Sequence, residues 1–498
     1  MGEDLGLRFA ALQKKLVPLW RSIESINKDE QTIAVVPSID VDMPLLPAEM
    51  QAYEERYLFL LFLLRQPRAR MVYVTGQAIH PEIVDYYLDL LPGVIASHAR
   101  KRLHLVSPLD ASDRPLTRKL LERPRLIDDL RALIPDPDRA HLIPFAATEE
   151  DVQLALELGI PMYGTDPKHS DLGTKSRCRQ LFKEEGVALP MGAEDLHAED
   201  DLCEALIAMR RERPDLERVV VKLDEGVSGM GNANLSLADL PSNESAAVRA
   251  HLREMSFELG EMSYEAFLEK LAAQGGIVEE RIVAKRIESP SVQLRVTPLG
   301  DVELLSTHDQ LLGGTGGTSF LGCRFPADAA YAPMISREAV KVGRRLAAEG
   351  VLGRFALDFV VAQGDDEAWK PYAIEINLRK GGTTHPFLTL QFLTDGTYDA
   401  ETGRFTTPGG TAKYFVASDH VESPHYKAFT HEDLFHIVAM NGLHFDQTRE
   451  TGVVFHMLSA LPQCGRVGLT AVADSPDGAE ALYERAVAAL DEAARTSS

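Results

Sequence analysis

Cysteine is scarce in this chain: Cys178, Cys203, Cys323 and Cys464 are scattered through 498 residues. Their spacing matches no zinc ribbon and no disulfide framework, so they read as reduced thiols, and the cytoplasm is the expected location. Long apolar runs are missing as well. The richest, Tyr57 to Leu64, is far shorter than the ~20 residues that a membrane-spanning helix requires. No basic, apolar, small-residue leader opens the sequence. Positive charge is in deficit, with 52 Lys and Arg against 75 Asp and Glu and a net charge of −23. That balance argues against a nucleic-acid or membrane partner. It leaves room for a phosphorylated ligand in a local basic pocket.

Apolar residues make up 45% of the chain, enough for substantial cores, and the length suggests about three domains. A helical pattern covers Leu7 to Ile26, and Met50 to Leu64 reads as a helix that can continue to Arg65. Short β-rich runs at Ile33 to Val36, Met71 to Val74, Leu103 to Val106 and His141 to Phe145 alternate with helices, the pattern of an α/β layer with a mostly parallel sheet. Gly76 follows a strand, but no GxGxxG accompanies it. A break falls near Gly159 to Lys168. Cys178, Leu181 and Phe182 then have helical spacing, closed by Gly186. Helix is expected over Asp200 to Arg211, strand over Val219 to Leu223 and Ile277 to Ile282, and a hairpin turns at Thr297 to Asp301. No internal repeat is visible. The divisions expected are 1–165, 166–385 and 386–498, the last closing with a helix at Glu480 to Ala494.

The most informative feature is a pair of strands near position 370. Phe355 to Ala362 is apolar except for Asp358, and Tyr372 to Leu378 carries Glu375 and Asn377. Side chains alternate along a strand, so Glu375 and Asn377 share one face while Ile374, Ile376 and Leu378 take the other. An acid inside such runs is costly unless it is compensated. Magnesium supplies that compensation, because it prefers carboxylate and amide oxygens. The ordinary alternative is a solvated strand face. The acids Asp365, Asp366 and Glu367, between the strands, read as a surface insertion, with entry of one of them into the site as the alternative.

Other segments suit an anionic ligand. Lys222 ends the strand Val219 to Leu223, just before Asp224-Glu-Gly-Val-Ser-Gly-Met-Gly-Asn232. Gly226, Gly229 and Gly231 let backbone N–H groups close on phosphate, with Ser228 and Asn232 adding polar contacts. This is not a Walker A loop, since the lysine precedes the glycines. Lys175, at a helix start, either reaches phosphate or is solvated. Glu279 and Glu280 interrupt Ile277 to Ile282, where an acid can receive a ribose hydroxyl and the backbone can read an adenine edge. A half-exposed sheet edge is the alternative. Arg354 and Arg379 flank the acidic hairpin, with Arg295 also near in sequence, and any of them can stabilise developing negative charge. His385, in Gly381 to Pro386, is read either as a substrate-side or proton-transfer group or as part of a turn. Thr307 to Gly317 reads as a Gly-rich lid or an idle loop. His308 has no metal-ligand spacing.

Taken in order, Lys175, the Lys222 to Asn232 block, Val278 to Ile282, Asp358 and Glu375-Ile-Asn377 resemble the ATP-grasp superfamily over about residues 160–385. The Lys222 to Asn232 block and Asn377 to Pro386 are similar to the pheganomycin-type peptide ligases. The resemblance implies an ATP-grasp fold, with an N-terminal α/β domain like those that precede such cores and a C-terminal mixed α/β region. It implies that Lys175 and Lys222 contact ATP phosphates, and that Glu225, Ser228, Gly229, Gly231 and Asn232 form the phosphate loop. Glu279, Glu280 and Ile282 would form the adenine linker. Asp358, Glu375 and Asn377 would hold two Mg2+ ions, and Arg379, Arg354 and His385 would serve catalysis. The implied reaction joins an amino-acid or peptide carboxylate to an amine through an acyl phosphate, releasing ADP and phosphate. An ATP-dependent small-molecule kinase and a nucleotide-binding regulator without turnover are the competing readings. A homodimer is the base-rate expectation.

Overall fold

The computed structural model describes residues 3–26, 30–40, 45–226, 231–238, 240, 244–258, 262–313, 317 and 319–496. Three sheets carry the architecture. The first is parallel, in the order β3-β2-β1-β4, from β1 (Gln31–Val36), β2 (Ala69–Val74), β3 (Leu103–Val106) and β4 (Ala140–Pro144). β1 is buried along its whole length, as expected of a strand covered on both faces. The helical pattern at Leu7 to Ile26 is interrupted, giving helices Glu3–Gln13 and Leu16–Ile26. The pattern from Met50 also divides: an α-helix at Pro47–Glu55 tightens into a 3₁₀ helix at Arg56–Arg65. Residues i and i+3 eclipse in a 3₁₀ helix, which buries its apolar sequence on several sides.

The second sheet has the order β5-β9-β6-β7-β8, from β5 (Gly192–Leu196), β6 (Arg218–Leu223), β7 (Asn232–Ser236), β8 (Ser256–Phe257) and β9 (Gly276–Glu280). The helix Lys175–Glu184 packs beside β5 and β9. Thr174 caps it by accepting from the N–H of Arg177, and Gly186, at φ +65°, follows its end.

The third sheet has nine strands. β10 (Arg286–Glu288) and β11 (Pro290–Val296) run along one side of β14 (Gly353–Gln363), and β15 (Trp369–Asn377) along the other. From β11 the sheet continues through β12 (Val302–Gly313), β13 (Ser319–Phe325), β18 (Tyr414–Glu422) and β20 (Arg466–Ala473) to β19 (Gly452–His456). A small hairpin, β16 (Thr397–Asp399) and β17 (Arg404–Thr406), stands apart. The segment after residue 385 thus extends the same sheet that carries the acidic hairpin. Helix Ala332–Ala348 covers β11 and β12, and its Ile335, Ala339, Val342 and Leu346 share one core with Phe355 and Leu357 of β14.

One buried cluster joins the first sheet to the end of the chain, from Ile33 and Tyr57 through Phe387 and Leu390 to Leu490. Phe59 stacks on Phe392 at 6.5 Å, and Arg65 donates to the Phe392 carbonyl at 2.6 Å. The 3₁₀ helix is therefore docked on the helix Thr384–Thr394, directly after the candidate site. No helix among the described residues is long and apolar enough to cross a membrane.

Candidate functional site

A cavity of about 480 Å³ lies between the second and third sheets. β6, β7 and β9 supply Lys222, Asn232 and Glu279, while β11, β12, β14 and β15 supply Ser291, Gln310, Asp358 and Glu375. The first segment adds Tyr53 and Arg56, and β18 adds Asp419 and His420.

The acidic hairpin is in register: Asp358 on β14 faces Glu375 on β15, and Ser291 on β11 faces Asp358 from the other side. Asn377 donates to Asp358 Oδ2 at 3.0 Å and to Glu375 Oε1 at 3.3 Å. The expected alternation fails at one residue. A bulge between Asp358 and Phe359 leaves Ile374 unpaired, and Ile374 lines the cavity beside Glu375. Ile376 is buried on the opposite face, where its N–H donates to Cys178 Sγ at 3.2 Å.

Burial, and then the neighbouring Glu375, push the Asp358 carboxyl up to about 7. Burial also acts on Glu375, but Lys175, Lys222 and Arg379 outweigh it and hold that carboxyl below its usual range. Lys175 Nζ stands 3.9 Å from Glu375 Oε2. Two facing carboxylates with an amide and three cationic side chains around them form a polar centre short of positive charge at Asp358. The donors Asp358, Glu375 and the Asn377 amide are all oxygen-bearing, the set a hard divalent cation requires, with the Asn377 amide turned to present its oxygen.

The nucleotide-side expectations divide. Lys222 Nζ ion-pairs with Glu279 Oε1, whose other oxygen accepts from Arg179 Nη1 at 3.3 Å. Glu280 faces away from that pair: its carboxylate accepts from the Met191 N–H at 2.8 Å and from Arg213. Arg281 and Ile282 follow along the cavity wall. Gly231 has φ +86°, and a Cβ there would stand 3.2 Å from Leu223 Cβ, so the chain needs glycine where it re-enters β7. Asn232 and Gly226 line the cavity, whereas Glu225 is exposed outside it. Ser228 and Gly229 lie outside the described residues.

Of the three arginines flanking or near the hairpin, only Arg379 lines the cavity. Arg354 is on the same face of β14 as Asp358, four residues and so ~13 Å along the strand. It is half-buried beside Tyr163 and Arg295, with its buried Nη1 unpartnered and its guanidinium pushed down to about 10 by desolvation. Arg295 pairs with Glu303 at 2.6 Å. His385 is also off the lining. It sits in the first turn of the helix Thr384–Thr394, where Pro386 forfeits no needed N–H, and its Nε2 lies 3.0 Å from His456 Nε2. Asp366 pairs with Lys370 at 2.9 Å in an exposed loop, and none of Asp365, Asp366 and Glu367 lines the cavity.

The expected lid at Thr307 to Gly317 is mostly strand: β12 runs to Gly313, with His308 fully buried against Ser306 and Gln293. Gln310, Leu312, Gly317 and Phe320 do reach the cavity. Residues that the sequence reading missed include Arg56, Lys380 and Asp419. Asp419 lies between Ser418 and His420 at the end of the apolar run Tyr414 to Ala417, so it does not stand alone as Asp358 does. Lys380 is buried, donates to the Pro144 carbonyl at 2.6 Å, and is pushed down to about 7 by that burial.

Comparison with known proteins adds to this geometry. Residues 169–259 and 257–401 match a family model described as IQCH-like, ATP-grasp, and residues 433–486 match the PGM1 C-terminal domain. The chain is 31% identical over 447 residues to L-propargylglycine–L-glutamate ligase of Streptantibioticus cattleyicolor, covering 88% of each chain. It is 23% identical to IQ motif-containing protein H of Danio rerio over 96% of this chain, and spans half of that longer protein. Among solved structures, biotin carboxylase from Campylobacter jejuni aligns with a TM-score of 0.55 at 13% identity, over 95% of this chain and 96% of that one. N5-carboxyaminoimidazole ribonucleotide synthetase in its ADP complex aligns with a TM-score of 0.51 at 11% identity, over 93% and 97%. These structural likenesses speak for the fold.

Proposed function

From the premise that the chain belongs to the pheganomycin-type peptide ligases of the ATP-grasp fold, we propose that its cavity joins two small amino acids, one of them acidic, in an ATP-dependent carboxylate–amine ligation. The convergence of Lys175, Lys222 and Arg379 on the Asp358–Glu375–Asn377 cluster carries this reading. The ligase relative, named for propargylglycine and glutamate, supports the substrate class.

Lys175 and Lys222 would hold the triphosphate, with Glu279 orienting the Lys222 ammonium. Arg281 and Ile282 would flank the adenine. Asp358, Glu375 and Asn377 would hold two magnesium ions, whose charge offsets that of the phosphates during transfer. The substrate carboxylate attacks the γ-phosphorus and displaces ADP. Arg379 stabilises the charge on the resulting acyl phosphate. An amine then attacks the acyl carbon, and phosphate leaves. The side chains here align, stabilise charge and exclude water, and no protein nucleophile takes part. The same proposal places the protein in the cytoplasm, as a homodimer.

Purified protein incubated with ATP, magnesium and mixed amino acids tests this by product mass. An amide product with one ADP released per bond formed supports ligation. A stable phosphorylated amino acid formed without an amine would instead favour a kinase. ADP binding without either product across the panel would favour a regulator.

A further inference from the structure

We propose that His385, Asp419 and His456 bind one divalent transition-metal ion of the zinc class, chemically unlike the oxygen-donor cluster at Asp358. The three residues come from separate elements: the helix Thr384–Thr394, the middle of β18 and the end of β19. His456 Nε2 is 2.7 Å from Asp419 Oδ1, His385 Nε2 is 3.2 Å from the same oxygen, and the two nitrogens are 3.0 Å apart. All three side chains are buried.

With Asp419 ionised in its pair with Arg56, protons alone do not satisfy this triangle. It has three edges, and two neutral imidazoles bring at most two Nε2–H groups to it. If both donate to Asp419, two N–H groups confront each other at 3.0 Å. If one ring donates to the other, the accepting nitrogen has no proton for the carboxylate oxygen. A single cation satisfies all three lone pairs together. Donors with these separations can each lie ~2.1 Å from one point, the bond length of imidazole nitrogen and carboxylate oxygen to zinc.

The surroundings hold the donors in place. A register shift in β18 between Ser418 and Val421 coincides with Asp419. Arg56 Nη1 donates to Asp419 Oδ2 at 2.7 Å, leaving Oδ1 to the triangle, and ligating carboxylates are commonly held in this way. A Cβ on Gly468 would collide with the His456 ring at Nε2, so only glycine there admits the ring. Two imidazoles and one carboxylate suit zinc, cobalt, nickel or ferrous iron, whereas magnesium prefers an all-oxygen set. Such an ion would tie the helix Thr384–Thr394 to β18 and β19, at the cavity wall formed by Arg56 and Asp419. The ligase reading does not depend on it.

Full-length protein without a polyhistidine tag is stripped with chelator, then titrated with Zn2+ or Co2+. Bound metal is counted by mass spectrometry, and cobalt coordination is read from its ligand-field spectrum. One equivalent per chain with a raised melting temperature is expected, unmatched by Mg2+. His385→Gln and His456→Gln each weaken uptake by about 10-fold or more. His431→Gln, in the more exposed His80–Glu82–His431 cluster, leaves it unchanged. The wild-type titration needs no variant to fold. Wild-type protein that takes up no stoichiometric zinc or cobalt, or uptake abolished by His431→Gln alone, overturns the proposal.

Discussion

Replacing Asp358 by asparagine should stabilise the metal-free enzyme at alkaline pH while abolishing its activity. Burial and Glu375 raise the Asp358 carboxyl from 3.8 to about 7. A raised acid contributes its stability fully below the unfolded value and loses it as pH climbs through the folded one. The metal-free wild type therefore pays a growing penalty between about pH 4 and pH 7. At 1.36 kcal/mol per pH unit, the ceiling is roughly 4 kcal/mol, and about 2 kcal/mol is a fair expectation for a side chain that keeps some solvent contact. The substituted amide has no charge to bury, so that penalty disappears. Melting curves of wild type and Asp358→Asn in chelator should coincide near pH 4, diverge up to pH 7 and run parallel from there to pH 8, with the variant higher by about 2 °C. Magnesium with ATP should raise the wild type and not the variant. A wild-type melting temperature flat across this range, or a variant less stable at pH 8, would refute the reasoning.

Other expectations follow from the same geometry. Lys222→Met removes the partner of Glu279 and a phosphate contact, and should weaken ADP binding by roughly 10–100-fold in calorimetry. Arg379→Ala should lower kcat by about 100-fold with little change in the KM for ATP, since its charge is needed at the acyl phosphate. Gly382→Ala would drive a Cβ into the Phe320 ring; overpacking should cost ~1–3 kcal/mol in thermal unfolding and raise substrate KM, since both residues line the cavity.

The acidic hairpin was legible because a strand has a two-residue period and polar side chains stand out against it. Asp358, Glu375 and Asn377 stood out from their apolar neighbours, and the register brings them together. Ile374 was misjudged because a bulge changes the period by one residue, and no local residue type announces it. The change from α to 3₁₀ geometry at Arg56–Arg65 was not legible in the helical reading of Met50 to Leu64, since the apolar stretch Tyr57 to Leu64 has no face to distinguish the two. Thr307 to Gly313 was read as loop from the glycines that follow, whereas pairing on both edges made it strand. Arg56 and Asp419 touch across 363 residues, a contact that no local pattern encodes. Asp419 was hidden among its polar neighbours Ser418 and His420, which read as the end of a strand.

Cys178 gives the active site a latent chemical reporter. Its sulfur accepts the backbone N–H of Ile376, one residue from Glu375, and burial pushes the thiol up to about 12. A folded molecule thus shields it from alkylating reagents twice over, by enclosure and by protonation. Modification at this position would register only those moments when the hairpin separates from the helix beneath it. The rate of labelling, followed with and without nucleotide, would time the breathing of the cleft without any engineered probe.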